Sequence, residues 1–160
     1  MSVSETQFKD ALSRYATGVT VITGTLPDGQ PAGVTVSSFT SLSLNPPLVL
    51  FCLAKTVNCL VAFTEGKRFA VNVLGEGQRD LSVTFASQSQ DKFQSVAYAM
   101  EDGLPVLKGC LATIVCRRHA VQEGGDHLII VGEVEGSRVA PEGAPLVYHR
   151  GAYRRARDAF

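Results

Sequence analysis

The chain has 160 residues, 45% hydrophobic and 19% charged, enough to bury one core and too apolar for intrinsic disorder. Fifteen basic against fifteen acidic residues leave no net charge, so no field favours a polyanion and nucleic-acid binding is not expected. No apolar run reaches the ~20 residues of a membrane span, and Met1-Ser2-Val3-Ser4-Glu5 lacks the basic and apolar parts of a signal peptide.

Ser4-Glu5-Thr6-Gln7 reads as a capping box, and Phe8, Ala11, Leu12 and Tyr15 follow at helical spacing up to a stop at Gly18. Val19 to Thr23 is a β-branched strand. Pro27-Asp28-Gly29 signals a turn, so the strand from Ala32 to Ser37 should return as a hairpin. A hydroxyl-rich bend follows, and Leu48 to Leu53 is a continuous apolar strand expected to be buried on both faces. Thr56 is placed to cap a short helix carrying Val57, Leu60 and Val61. Phe69 to Leu74 is a strand, Gln78 to Ala86 a helix, and Ser87 to Gln90 a polar loop. Leu111 to Cys116, His127 to Val134 and Leu146 to His149 complete the strands, with Gly124-Gly125-Asp126 as a tight connection. Arg150, Arg154, Arg155 and Arg157 read as a solvated, frayed tail.

Strands outnumber helices and do not alternate with them, and no G-x-G-x-x-G follows the first strand, which disfavours a doubly wound sheet. About seven short strands suit a closed or nearly closed antiparallel barrel, because closure removes exposed edges. Cys52, Cys59, Cys110 and Cys116 each sit in an apolar segment without metal-ligand spacing, so buried free thiols in a reducing cytoplasm are expected.

Two segments carry chemistry beyond packing. Gly33 to Phe51 runs from alternating strand through Ser37, Ser38, Thr40, Ser41 and Ser43 to Pro46-Pro47. Buried hydroxyls need partners. The run can therefore satisfy its own backbone, or hold a flat ligand with a polar edge. The second is Gly124-Gly125-Asp126-His127 at the head of an apolar strand. Both segments, in order and spacing from Phe8 to Tyr153, resemble the flavin reductase-like family, small reductases that supply reduced flavin to a separate monooxygenase.

The resemblance implies a mainly β fold, a Greek-key FMN-binding split barrel with a few short helices. It also implies a single domain over residues 1–160 and a homodimer. It places Thr35, Val36, Ser37, Ser38 and Ser43 around the flavin ring of FMN or FAD. Cys52, Leu53, Ala54, Lys55, Thr56 and Asn58 lie where the family grips the flavin phosphate, a helix N-terminus being suited to an anion. Val57 and Cys59 stand where the family has hydroxyl residues. Phe85 and Ala86 fall where an aromatic closes over the flavin, although a helix-spaced Leu81 and Phe85 are equally plain core. His127, with Asp126 fixing its turn or tautomer, would position the nicotinamide of NADH or NADPH together with Tyr148, and His149 in the same terminal segment would line the pocket mouth. His119 reads as surface. Hydride passes directly between the coenzymes, so no catalytic side chain and no metal are expected.

The function implied is an NAD(P)H:flavin oxidoreductase paired with a flavin-dependent monooxygenase in the cytoplasm. A split-barrel enzyme using bound flavin on its own small substrate, and a non-catalytic flavin- or haem-binding module, are the alternatives.

Overall fold

The computed structural model describes residues 3–89 and 91–156, so Met1, Ser2, Gln90 of the expected loop and Arg157 of the arginine cluster lie outside the described residues. In chain order its elements are α1 (Glu5–Ser13), β1 (Thr17–Gly18), β2 (Thr20–Thr25), β3 (Pro31–Val36), β4 (Thr40–Leu44) and β5 (Pro47–Ala54). There follow α2 (Val61–Thr64), β6 (Arg68–Val73), α3 (Arg79–Ala86), β7 (Tyr98–Glu101), β8 (Leu104–Leu107), β9 (Ala112–Gly124), β10 (His127–Val139), β11 (Leu146–His149) and β12 (Ala152–Arg155).

Among the described residues the main sheet runs β3-β2-β6-β9-β10-β5-β4, antiparallel throughout. Its two edge strands, β3 and β4, are neighbours in the chain, joined only by Ser37-Ser38-Phe39. That link spans at most ~14 Å. Six inter-strand gaps in a flat sheet would separate the edges by ~29 Å. The sheet must therefore curl until its edges meet, and the expected barrel follows from connectivity. Ser38 marks the seam: its hydroxyl accepts from Cys52 N at 2.9 Å and donates to Cys52 O at 3.2 Å. A side chain thus stands in for one rung of a backbone ladder.

The barrel interior holds Phe51, Phe63 and Phe69 edge to face, with Ile22, Val71 and Ile130 around them. Burying each ring stabilises the fold by about 1.5–3 kcal/mol before packing terms. Asn72 is the buried polar tie. Its amide nitrogen donates to Val21 O and Thr23 Oγ1, and its oxygen accepts from Leu107 N, each at 3.0 Å. One side chain so binds β2, β6 and β8 together. A second cluster, with Val19, Leu74, Phe85, Leu107 and Leu146, seats α3 and the β11–β12 hairpin against the barrel.

Several expectations change. Five short strands were invisible to periodicity: β1, β4, β7, β8 and β12. The β7–β8 hairpin turns on Asp102-Gly103, both with positive φ, a two-residue turn that the pair suits. The hydroxyl-rich bend contains an edge strand, β4. β5 is buried on one face only: Val49, Phe51 and Leu53 point into the core, while Leu48, Leu50 and Cys52 are half-exposed. Thr56 caps nothing; residues 55–60 form turns and α2 starts at Val61. Arg154 and Arg155 are not frayed: both lie in β12, paired to β11. α1 has the expected capping box, but none of its residues is buried: Phe8 and Leu12 are 54% and 56% exposed, and Tyr15, which the spacing put in the helix, lies beyond its end and is 76% exposed. All four cysteines are free, yet only Cys116 is fully buried.

Candidate functional site

Two segments that the sequence singled out meet at one end of the barrel. β9 and β10 turn over on Gly125-Asp126, and Gly125 has the positive φ that a glycine-led two-residue hairpin requires. His127, first residue of β10, lies opposite Ala54, last residue of β5. Lys55 N donates to Asp126 O at 3.0 Å, fastening the hairpin to the strand end. The Ser38–Cys52 seam brings the start of the hydroxyl run to the same edge.

His127 Nδ1 is 2.7 Å from Asp126 Oδ1. The hydrogen bond to His127 holds the Asp126 carboxyl below the usual range, so the carboxylate accepts and Nδ1 carries the proton. Nε2, for which no described residue supplies a partner, is then left free to accept a hydrogen bond. Lys55, by contrast, is engaged: its Nζ pairs with Glu123 at 2.5 Å. His119 is exposed on β9, as expected of a surface residue.

β3 forms the floor leading away from this corner, with α3 along one side. Thr35 Oγ1 donates to Ser82 O at 2.7 Å, and Ser82 Oγ bonds the Tyr153 hydroxyl at 2.8 Å. Tyr153 packs edge to face on Tyr148, with ring centroids 5.4 Å apart. Thr35 and Tyr148 are therefore joined through one short relay. Further along, a cavity of about 380 Å³ opens between β3, the turn at Val57-Asn58-Cys59 and the C-terminal end of α3.

The sequence-derived set divides accordingly. Ser37, Ser38, Ala54, Lys55, Asp126 and His127 gather at the barrel end, and Asn58 and Ala86 line the cavity. Val36 and Leu53 bury their side chains in the core, so only their main chain can meet a ligand. The hydroxyls of Thr35 and Ser38 are already committed to the protein. Cys52 lends its main chain to the seam. Thr56 is exposed in its turn. Ser43 is not brought to the others: it pairs with Leu48, six residues back along β5 from Ala54, about 20 Å of strand. Phe85 is fully buried, stacked edge to face on Phe93 and against Gly33, and it lines the cavity from the core side. Phe93, half-buried, lines the same cavity.

Lys92 is the residue that sequence reasoning missed. It lines the cavity beside Asn58, and its Nζ donates to Gly33 O at 3.3 Å and Phe85 O at 3.1 Å. Burial pulls its pKa below the ordinary lysine value. No carboxylate pairs with it among the described residues. A partly desolvated ammonium anchored by two carbonyls, with spare charge and an amide neighbour, is a seat for an anion. No periodicity marks a single lysine in a polar loop.

The chain matches the model of the flavin reductase like domain over residues 12–157 and belongs to that family. It is 45% identical over 150 residues to the FMN reductase (NADH) SmoA of Agrobacterium fabrum, covering 92% of this chain and 84% of that one. It is 42% identical over 149 residues to HsaB, the reductase subunit of a flavin-dependent monooxygenase of Mycobacterium tuberculosis, covering 91% and 79%. Among solved structures, the NADH:FAD oxidoreductase SgcE6 of Streptomyces globisporus, in complex with NAD and FAD fragments, superposes with a TM-score of 0.91. That match is 36% identical and covers 96% of this chain and 93% of that one. The curled sheet is the split β-barrel of these relatives, mainly β with a few short helices.

Proposed function

We propose that this protein, an oxidoreductase by family, is an NAD(P)H-dependent flavin reductase that reduces FMN or FAD and supplies the reduced flavin to a partner monooxygenase. The observation that carries this reading is the corner itself, where His127, hydrogen-bonded to Asp126, pairs with Ala54 and the hairpin is fastened to Lys55 beside the Ser38–Cys52 seam. A flavin mononucleotide needs both a phosphate seat and a flat, small-residue wall with donors for its carbonyl edge. The residues present fit that group.

Bound flavin would accept a hydride from reduced nicotinamide and carry the electron pair onward. Lys92 and Asn58 hold the phosphate. Main-chain N–H groups around Ser37 and Lys55 serve the polar edge of the ring, and Ala54 leaves its face open. His127 Nε2 accepts from the nicotinamide carboxamide, and Asp126 keeps the imidazole in the tautomer that can do so. Tyr148, steadied by Tyr153, borders the mouth. These groups orient two rings and transfer no proton, which is the positioning that a direct hydride transfer requires.

The function needs a second copy of the chain. α1 is nine residues long, too short to be stable by itself, and it exposes Phe8 and Leu12 one turn apart, with Tyr15 exposed just past its end. A homodimer that buries this stripe answers both facts. The chain works as a single domain, supported by one sheet that spans β2 to β10. Four free thiols support a reducing cytoplasm as its compartment.

The test is loss of nicotinamide absorbance in air with protein, catalytic FMN or FAD, and either NADH or NADPH. Turnover that scales with added flavin is expected. Flat traces with both nicotinamides would overturn the reading, and a haem Soret band on reconstitution would favour the binding module.

A further inference from the structure

A second cavity, of about 260 Å³, lies between the β7–β8 hairpin and the outer face of β9 and β10. Cross-strand partners share a face, so Asn72, Thr113 and Arg138, paired in turn across β6, β9 and β10, all point that way. Asn72 uses that face to hold Leu107 of β8. Beside it, Thr113 and Arg138 border the open space. Arg138 and His127 lie near opposite ends of β10, about 36 Å apart along the strand, so this is not the coenzyme corner.

The charge around the cavity is unbalanced. Glu101 offsets Arg138, whose Nη2 lies 3.0 Å from Oε1 and 2.9 Å from Oε2. Lys108 pairs with no carboxylate among the described residues, which leaves one positive charge over. The turn that carries it is fixed: Lys108 N donates to Ala97 O at 3.0 Å, and Lys108 O accepts from Gln78 Nε2 at 3.1 Å. Thr113 is 7% exposed, and its hydroxyl, without a partner among the described residues, borders the cavity. A buried hydroxyl in that state costs stability until something accepts from it. Burial pushes the Cys110 thiol up, so this part of the lining stays neutral and sets no negative charge against an anion. Ala99, Val106 and Val139 add apolar walls. At ~30 Å³ per water, the space takes roughly nine water-sized groups. One surplus charge and apolar walls disfavour a phosphate dianion and suit a monoanion with an apolar body.

We propose that this cavity is a binding site for a small monocarboxylate with a compact apolar body, separate from the coenzyme cleft. The carboxylate sits between the Lys108 ammonium and the Thr113 hydroxyl, both of which donate to it.

Titration calorimetry with sodium benzoate tests this on the full chain, with and without saturating FMN. One site per chain with a Kd of about 1 mM or tighter is expected, within reach of a ligand of this size. Benzamide, similar in shape but uncharged, should bind weaker by about tenfold or more. Thr113→Val should weaken benzoate by about tenfold and Lys108→Met by about fivefold, each with FMN binding unchanged. Lys108 is exposed, so that variant keeps the test intact should Thr113→Val unfold. Absence of saturable binding, equal affinity for benzamide, or an affinity that neither variant changes would overturn the site. Displacement of benzoate by FMN would overturn it too, by moving the binding to the coenzyme cleft.

Discussion

Gly33→Ala tests whether the floor of the cleft is as tightly set as it looks. Gly33 has an ordinary strand backbone, so what it supplies is space and not conformational freedom. A Cβ built there would lie 2.5 Å from Phe85 Cε1, 2.7 Å from Phe85 Cδ1 and 3.3 Å from Phe93 Cζ. Carbon atoms rest at about 3.5–4.0 Å, so the ring must retreat by roughly 1 Å. Its retreat is resisted by its burial and by Phe93, at 5.0 Å between centroids. Overpacking of this kind costs about 1–3 kcal/mol. For a chain of this size that lowers Tm by about 2–12 °C. Because Phe85 O is one of the two carbonyls that hold Lys92, flavin affinity should fall with it. Pairing the change with Phe85→Leu, which vacates the space, should recover stability, giving a coupling of about 0.5–3 kcal/mol in a double-mutant cycle. Thermal melts and flavin titrations of the four proteins decide it. A Tm loss under about 1 °C for Gly33→Ala, or strictly additive effects, would refute the argument.

Gly132→Ala is the matched control: its Cβ would overlap Phe69 Cζ and approach Cys116 Cβ in the barrel core, far from Lys92. Calorimetry should show a loss at least as large as for Gly33→Ala, with flavin affinity of the folded fraction unchanged. On the proposed role of His127 as the group that positions the nicotinamide, His127→Ala should raise the KM for NADH severalfold while leaving the flavin Kd within about twofold. FMN affinity should fall as pH rises through a lysine pKa below the ordinary value. Lys92→Met should abolish that dependence, and riboflavin, lacking the phosphate, should never show it. The sign for folding is the reverse. Above its lowered pKa, Lys92 holds fewer protons folded than unfolded, so the penalty for burying its charge is relieved as pH rises. The proposed homodimer through α1 predicts that Leu12→Glu gives a monomer in sedimentation velocity, where the parent sediments as a dimer, without unfolding the chain, since Leu12 is 56% exposed within its own chain. A persistent dimer would place the interface elsewhere.

How much of this was legible beforehand depended on where each signal is generated. The β2–β3 hairpin, β6, α3 and the Gly125-Asp126 turn were readable because local chemistry alone sets them: β-branched runs, a Pro-Asp-Gly turn and a glycine at positive φ. β4 was not, because an edge strand rich in Ser and Thr draws its stability from one neighbour and carries no alternation to detect. The same limit governs the site. His127 and Lys55 stood out because their motifs lie within a few consecutive residues, and the barrel then joins them through the pairing of His127 with Ala54. Lys92 stood out in nothing. It gains meaning only when β3 and α3, about fifty residues apart in sequence, each turn a carbonyl toward one ammonium. Phe85 fits both readings that its spacing leaves open: Gly33 makes room for its buried ring, and the same ring lines the cavity. An inward face and a ligand-facing one obey the same periodicity, so spacing cannot separate them; only the neighbours that the fold brings across from β3 do.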